Sequence, residues 1–168
     1  MLYTEEPMTA TEPATVHNTS VLEHSYPQPP AGVYAAFAQP ARKRRWYAES
    51  DQEDREFEMD FRIGGSERLR YRFKKGHPIE GQEIVNCSIY QDIVPAKRIV
   101  TASVMSLNGK PILAAQVTFE FLPSAAGTDL ICTSQGAFFD WPQGPAMIEE
   151  GWRGLLDGVA KELAPHSA

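Results

Sequence analysis

Histidine and cysteine are the side chains best suited to metal binding and nucleophilic chemistry, and in this sequence they are few and far apart. The histidines are His17, His24, His77 and His166. Their separations match no metal-ligand spacing, and Cys87 and Cys132 lack the CxxC spacing of a zinc site. No Ser-His-Asp or Cys-His arrangement follows from these positions. We therefore predict no catalytic residues, no metal and no cofactor, and the sequence leaves open whether the protein is an enzyme.

Charged side chains are the second group that could act on a ligand. The run Arg42-Lys43-Arg44-Arg45 could bind phosphate. Consecutive residues of a helix point in all directions, however, so a solvated face is the favoured interpretation. Glu58, Asp60, Arg62 and Glu120 alternate onto the polar faces of their strands. Residues i and i+2 of one strand are about 7 Å apart, which excludes a buried Asp60–Arg62 pair.

The elements that must position these side chains begin with a strand over Thr15–Tyr26, which contains neither Gly nor Pro. Prolines end it, and two short helices are predicted over Ala31–Ala38 and Ala41–Ala48. Six strands joined by short turns follow, which predicts an antiparallel sheet. They cover Glu56–Arg62, Arg68–Phe73, Glu83–Val94, Arg98–Leu107, Ile112–Leu122 and Thr128–Gln135.

The last element is a long amphipathic helix that starts near Pro145 and ends before Pro165. Its apolar residues recur at helical spacing. They are Ile148, Trp152, Leu155, Leu156, Val159 and Leu163. Such a helix must bury its apolar face against the sheet. The predicted fold class is therefore α+β, with a strand, two short helices, six strands and a long C-terminal helix.

Composition limits the class of protein. The chain has a formal net charge of −6, with 42% hydrophobic and 23% charged residues, ordinary values for a globular protein. The basic excess of residues 42–75 is small and interleaved with acids, which argues against a nucleic-acid partner. No apolar run reaches the roughly 20 residues of a membrane span. Without a recognisable secretory signal we predict a cytoplasmic protein in which Cys87 and Cys132 are free, buried thiols. Residues 1–13 are predicted to be a disordered tail and residues 14–168 a single domain.

Five short motifs carry a resemblance to a known family. They are Tyr26-Pro27-x-x-Pro30-x-x-Val33-Tyr34-x-Ala36-Phe37, Asp60-x-Arg62-x-Gly64-Gly65, Asp92-Ile93-Val94-Pro95-x-x-Arg98-Ile99-Val100, Gly127-Thr128-x-Leu130 and Glu150-Gly151-Trp152-x-x-Leu155-Leu156-Asp157. In this order they resemble the activator of heat-shock-chaperone ATPase homologue-like family of the SRPBCC superfamily, which includes START-like and birch-pollen-allergen-like proteins. The resemblance covers residues 15–164 and implies a helix-grip fold, a curved antiparallel sheet wrapped around the C-terminal helix.

The resemblance also implies a ligand cavity, because a helix-grip sheet often stays hollow beneath its helix. The residues expected to line it are Phe57, Met59, Phe61, Leu69, Tyr71, Phe119, Phe121, Phe138, Trp141, Trp152 and Leu156. A filled core is the alternative for each of these positions. A ligand of this cavity should be mostly apolar, since burying an unpaired charge is costly. The mouth is expected between the loop Phe138–Pro145 and the turn Gly64–Gly65.

Two features of the C-terminal region have two interpretations each. Gly151, Gly154 and Gly158 form one stripe beside the apolar face of the last helix. They would leave room for a ligand or allow a strand or loop to approach closely, and the close approach is favoured. The loop Phe138–Pro145 would be a lid over the cavity or a packed loop.

These observations predict a small hydrophobic-ligand-binding protein whose partner is a small apolar molecule. One alternative is an interaction module that modulates a chaperone ATPase. The eukaryotic co-chaperone of the family has a separate chaperone-binding domain before this one, and only residues 1–13 stand there, which argues against this alternative. Another is a polyketide-cyclase-like enzyme, which the shortage of His, Asp and Glu on inner strand faces argues against. A homodimer and the identity of the ligand are left open.

Overall fold

The computed structural model describes residues 14–50 and 53–165. The elements are β1 Thr15–Tyr26, α1 Pro30–Ala38, α2 Pro40–Lys43, a π-helical turn Arg44–Ala48, β2 Glu53–Met59, β3 Ser66–Phe73, β4 Glu83–Val94, β5 Arg98–Leu107, β6 Lys110–Ser124, β7 Gly127–Phe139 and α3 Gly144–Leu163. The predicted order of strand, two short helices, six strands and long helix is confirmed. The predicted tail over residues 1–13, and His166, lie outside the described residues. None of the described helices is long and apolar enough to cross a bilayer.

All seven strands form one antiparallel sheet in the order β1-β7-β6-β5-β4-β3-β2. Hairpin connections place β2 to β7 side by side in chain order. The first strand pairs with the last over its whole length, from Thr15 opposite Phe139 to Tyr26 opposite Thr128. The sheet therefore has β1 and β2 at its two edges, and the helices cover a single face of it.

The core lies between that inner face and the helices. Phe119 and Phe121 of β6 point inward and are buried, as the alternation predicts. Phe37 of α1 packs between them, with ring centroids 5.0 and 5.3 Å away. Trp46 of the π-helical turn packs on the other side of Phe37 and donates its indole N–H to the Ala36 carbonyl at 2.8 Å. The aromatic residues thus join α1 and the turn to one end of the sheet.

The C-terminal half of α3 is anchored by hydrogen bonds as well as by apolar contacts. Leu156 and Val159 are buried against the core. The buried hydroxyl of Tyr26 donates to the Leu156 carbonyl at 2.8 Å. The Gln28 side-chain amide donates to the Leu163 carbonyl at 3.0 Å. Burial, assisted by the charge of Asp157, raises the pKa of the Tyr26 hydroxyl, so this donor stays protonated.

The basic run is a solvated face only in part: Arg44 and Arg45 are exposed, as predicted, but Arg42 is half-buried and the prediction is wrong for the buried Lys43. Lys43 is only 6% exposed and reaches the inner side of β3. Arg42 and Arg45 both bind Glu162 of α3, with N–O distances of 3.1 and 2.6 Å. Arg44 donates to the Phe57 carbonyl at 2.7 Å. Because consecutive helical residues point in different directions, the four side chains reach three separate partners: Glu162, Glu67 and the Phe57 carbonyl.

Asp60 and Arg62 form an exposed ion pair of 2.8 Å. The strand predicted over Glu56–Arg62 ends at Met59, and the Arg62 amide donates to the Asp60 carbonyl in the following turn. The turn folds the two side chains together, which an extended strand does not allow. No buried pair forms between them, as predicted.

Glu162 provides a test of how α3 is held. Glu162→Gln removes the charge that binds Arg42 and Arg45, and we expect a loss of about 1–3 kcal/mol of unfolding free energy at neutral pH. The Arg45 hydrogen bond, with Arg42 contributing, holds the pKa of Glu162 below its ordinary value of 4.5. The carboxylate therefore stabilises the fold above pH 4.5, and its contribution is lost as the pH falls through the lowered pKa.

Urea unfolding over a pH series measures this effect. The difference between wild type and Glu162→Gln should shrink below pH 4.5. The control is Glu149→Gln, which changes an exposed carboxylate on the same helix and should cost less than about 1 kcal/mol. A difference that stays constant down to low pH would show that the charge of Glu162 does not contribute.

Candidate ligand cavity

A cavity of about 620 Å³ lies between the inner face of β3–β5 and the N-terminal half of α3. Its apolar wall includes Leu69 of β3, Ile84 of β4 and Met105 of β5. Across from them, Trp152 and Leu155 face the cavity from α3. This volume falls within the range of small-molecule sites, which are mostly apolar with a few placed polar groups.

The mouth of the cavity lies beside the β3–β4 loop, the β5–β6 hairpin and the start of α3. Ile79 of the loop and Met147 of α3 line it and are 38% and 57% exposed. Ile112, the extra residue of a bulge in β6, also lines the wall. Asp140 and Trp141 belong to the loop where the mouth was predicted. The turn Gly64–Gly65 is at the opposite end of β3, so that half of the predicted location is wrong.

The residues predicted to line the cavity divide into two groups. Leu69, Tyr71, Trp141 and Trp152 lie on its wall. The remainder pack in the two hydrophobic cores: Phe57, Met59, Phe61, Phe119, Phe121 and Leu156 in the larger, and Phe138 in the smaller. Trp152 connects the groups, because its ring meets Phe119 edge-on at 5.3 Å. The alternation identified the inner face, but not the part of that face which the helices leave uncovered.

The loop predicted over Phe138–Pro145 is shorter in the structure, because β7 continues to Phe139 and α3 begins at Gly144, and the connection is packed at its base. The Asp140 amide donates to the Ala14 carbonyl at 3.0 Å, and the Gly144 amide donates to the Trp141 carbonyl at 3.0 Å. A Cβ at the buried Gly144 would lie 2.4 Å from Phe138 and 2.7 Å from Trp141. The rings therefore lie directly on the backbone where α3 starts, which favours the packed-loop interpretation of this segment.

Two glycines of α3 have no packing reason for their lack of a side chain. Gly151 and Gly154 line the cavity, and a Cβ at either would meet nothing within 4 Å. Gly158 differs, since its Cβ would lie 3.5 Å from the Trp46 carbonyl oxygen. That distance is an ordinary van der Waals contact, so the favoured close-approach interpretation is not required at any of the three glycines. A helical glycine costs about 1 kcal/mol relative to alanine, so Gly151 and Gly154, which are exposed at the edge of the cavity, lower the stability of α3 without making room for another part of the chain.

Polar groups occupy the side of the cavity near β2. Asn86 of β4 donates its side-chain N–H to the Tyr47 hydroxyl at 3.2 Å. Burial raises the pKa of Tyr47, and the charge of Glu67 raises it further, so the hydroxyl stays protonated. Arg55 of β2 lies on the same wall, with a guanidinium N–H donated to the Tyr47 carbonyl at 2.8 Å.

A buried ion pair behind this wall was missed from the sequence. Lys43 donates to Glu67 at 2.5 Å, and the Tyr90 hydroxyl donates to the same carboxylate oxygen. The Lys43 ammonium lies 5.0 Å from the centroid of the Tyr47 ring. Burial, followed by the Glu67 charge, raises the pKa of Tyr90. Glu67 and Leu69 are two residues apart on the same strand, so the alternation could have placed Glu67 on the inner face.

The remaining titratable candidates do not converge on the cavity. His24 contacts Asp157 at 3.2 Å, and His77 packs against Phe73. Both cysteines are free, as predicted, but only Cys132 is buried and Cys87 is exposed. Burial raises the pKa of Cys132 to about 12. Among the described residues, no group of three His, Cys, Asp or Glu side chains could hold a metal ion.

The outer face of the sheet carries a second, open depression of about 780 Å³. Small side chains such as Cys87, Ala102 and Ala114 form its floor, with Val104 between them. The helices pack on the opposite face of the sheet. The cavity beneath α3 is therefore the better enclosed of the two and the stronger candidate site.

A curved antiparallel sheet that holds a long C-terminal helix across its inner face defines the helix-grip class of α+β proteins. Residues 27–164 match the family described as Activator of Hsp90 ATPase homolog 1-like protein, and the chain belongs to this family. The predicted family and fold are both confirmed.

Solved structures support this assignment. The Mll3558 protein of Rhizobium loti is 42% identical, covers 88% of this chain and 98% of its own, and superposes with a TM-score of 0.79. A putative uncharacterized protein of Rhizobium leguminosarum is 30% identical over 89% of this chain and 95% of its own, with a TM-score of 0.81. No curated protein matches the chain.

The Lys43–Glu67 pair should show strong energetic coupling. Glu67→Leu leaves a buried ammonium without its carboxylate, and Lys43→Met leaves the carboxylate without its cation. Each single change should cost about 3–5 kcal/mol, whereas the double variant should cost much less than the sum. Urea unfolding of the four proteins in a double-mutant cycle measures this coupling. The control is Asp92→Asn, in an exposed ion pair with Arg98, which should cost below about 1 kcal/mol.

Alanine at the cavity glycines should stabilise the protein. Gly151→Ala and Gly154→Ala should each raise the unfolding free energy by about 0.5–1 kcal/mol, because the helix gains propensity and the new methyl group meets no atom. Gly144→Ala is the opposite control, since its Cβ would overlap Phe138 and Trp141. Thermal melts rank the three variants. A loss of stability at Gly151 or Gly154 would show that packing requires these glycines.

Proposed function

We propose that this protein binds a small, mostly apolar molecule in the cavity beneath α3. The observation that carries the proposal is the pair of glycines at the wall. Gly151 and Gly154 lower the helix propensity of α3, and neither makes room for another part of the chain. Two glycines beside a cavity leave space at its wall that a ligand can use, whereas a packed core would be expected to place larger side chains there.

The chemistry of the wall supports binding of an apolar body. Leu69, Ile84, Met105 and Leu155 contribute aliphatic surface, and Trp152 contributes a ring. Apolar surface removed from water stabilises a complex by about 25 cal/mol per Å². Apolar residues also stand exposed at the mouth, where Ile79 and Met147 would meet an entering molecule.

The enzymatic alternative has less support. Among the residues that line the cavity, the ionisable side chains are Tyr47, Arg55, Tyr71 and Asp140. The Asp140 carboxylate is at the mouth, 61% exposed and 3.6 Å from the Lys110 ammonium. The buried Glu67 is bound to Lys43 and Tyr90 in the core instead of facing the cavity. An enzyme of this kind would need a general acid and a general base beside the substrate, and these lining residues do not form such a pair.

Titration with the neutral fluorescent probe N-phenylnaphthylamine tests the proposal. We expect saturable binding to wild type, with quenching of tryptophan fluorescence as the probe approaches Trp152. Gly154→Leu fills the cavity and should weaken binding at least about tenfold, since more than 1.4 kcal/mol of contact is lost. Circular dichroism establishes that the variant is folded.

The matched control is Arg153→Leu, which places the same side chain at a neighbouring position that is 62% exposed and outside the cavity. It should bind the probe as wild type does. Absence of saturable binding to wild type, or equal binding by Gly154→Leu, would overturn the proposal. An interaction module acting on a chaperone ATPase would then be favoured, because such an activity does not depend on the cavity.

A further inference from the structure

Asn86 is a polar side chain in an apolar row of the sheet. On β4 it stands opposite Leu69 of β3 and Met105 of β5, and all three side chains line the cavity. Leu69 is buried and Asn86 is half-buried. A polar group in an apolar wall costs free energy unless its donors and acceptors are satisfied, so its hydrogen bonds indicate what the cavity is built to hold.

Asn86 and Tyr47 satisfy each other only in part. Asn86 Nδ2 donates to the Tyr47 hydroxyl at 3.2 Å, so the phenol oxygen is the acceptor of this bond. Within the part of the chain that the structure describes, the hydroxyl proton and the Asn86 side-chain oxygen have no further hydrogen-bond partner. That oxygen is not fully buried either. The pair therefore offers one donor and one acceptor to the cavity that both residues line.

Tyr47 is held firmly behind its hydroxyl group. Only 7% of the residue is exposed. Its ring meets Trp46 edge-on at 5.6 Å and Phe57 edge-on at 5.7 Å, and the Lys43 ammonium lies 5.0 Å from the ring centroid. These contacts fix the donor before a ligand arrives, which lowers the entropic cost of binding. An acceptor on the ligand would also pair a buried donor that is otherwise left without one.

The charges around Tyr47 favour an uncharged acceptor. Burial raises the pKa of the hydroxyl, the Glu67 carboxylate raises it further, and Arg55 lowers this pKa by less than Glu67 raises it. The local field therefore disfavours a negative charge at this oxygen. An anionic ligand group beside the hydroxyl would meet the same field with a full charge, whereas a carbonyl or hydroxyl oxygen carries only a partial one.

We infer that the ligand is an uncharged molecule with one oxygen acceptor, a carbonyl or hydroxyl group, that binds at Tyr47 and Asn86 while an apolar body lies against α3. This inference rests on the proposed function and specifies the chemical class of the ligand. The Tyr47 hydroxyl donates its proton to the ligand oxygen. A ligand hydroxyl in turn donates to the Asn86 side-chain oxygen.

Two probes of the same shape test the inference. Acetylnaphthalene carries a carbonyl oxygen where isopropenylnaphthalene carries a methylene group. Their affinities are measured by competition against N-phenylnaphthylamine, whose own affinity is determined for each protein. Tyr47→Phe should weaken binding of acetylnaphthalene about fivefold, the net effect of one hydrogen bond, and should leave the affinity for isopropenylnaphthalene within about twofold of wild type.

The matched control is Tyr34→Phe, the same change on α1 outside the cavity, where the ring packs against Phe61 and Phe121. It should leave both affinities unchanged. Naphthoate presents a carboxylate at the same ring position and should bind wild type more weakly than acetylnaphthalene does, because a charge is costly to bury there.

A further measurement needs no variant and decides the question even where Tyr47→Phe fails to fold. Acetylnaphthalene labelled at its carbonyl carbon is followed by NMR as it binds to wild type. The resonance should lie downfield of its position in a hydrocarbon solvent, as expected for a carbonyl that accepts a hydrogen bond. A bound resonance at the hydrocarbon position would overturn the inference.

The outcomes also distinguish this inference from the proposed function. Equal losses of affinity for both probes in Tyr47→Phe, no loss for either, or tighter binding of naphthoate than of acetylnaphthalene would overturn the inference. The proposed function would stand in these cases, because wild type would still bind the apolar probes. Absence of saturable binding by N-phenylnaphthylamine and by both naphthalenes would overturn the proposed function itself.

Discussion

A single helix is too narrow to cover a seven-strand sheet, and the rest of this structure follows from that constraint. Strands about 4.8 Å apart make the sheet roughly 30 Å wide, whereas a helix with its side chains is about 10–12 Å across. Here α3 packs on β1 and β7, and α1 packs on β6 and β7. The strands β3–β5 are left facing the cavity. The empty volume therefore arises from the geometry of the fold and does not require a special device to create it.

An ion pair holds the wall of the cavity in addition to apolar packing. The π-helical turn Arg44–Ala48 bridges from α2 to the edge strand β2, and Trp46, Tyr47 and Ala48 of this turn are buried in the core. Lys43 is fixed on Glu67, and Tyr47 follows one helical turn later. The position of the Tyr47 ring at the cavity thus depends on an ion pair in the core behind it. A buried pair of this kind adds little net stability compared with apolar packing, but it allows a single arrangement of the turn.

The sequence predicted the fold well and the site only in part, for physical reasons. Strand alternation is local, so Leu69 and Tyr71 were correctly placed on the inner face. Which inner residues stay uncovered depends on where α3 lies, and that is set by partners far along the chain, such as Tyr26 with Leu156. The partners of Lys43 and Arg45 are 24 and 117 residues away along the chain, so the local pattern of the basic run does not reveal them. The strand alternation that places Leu69 on the inner face also places the Glu67 carboxylate there, so this residue could have been predicted.

The separation between the two halves of α3 has a consequence for how this protein can diversify. Its C-terminal half carries the anchors, including the Tyr26, Gln28 and Glu162 bonds. Its N-terminal half presents Gly151 and Gly154 to open space. Side chains of different size at these two positions would change the capacity of the cavity without touching an anchor. The volume of the cavity can therefore change through substitutions at Gly151 and Gly154, while the contacts that anchor α3 to the fold stay intact.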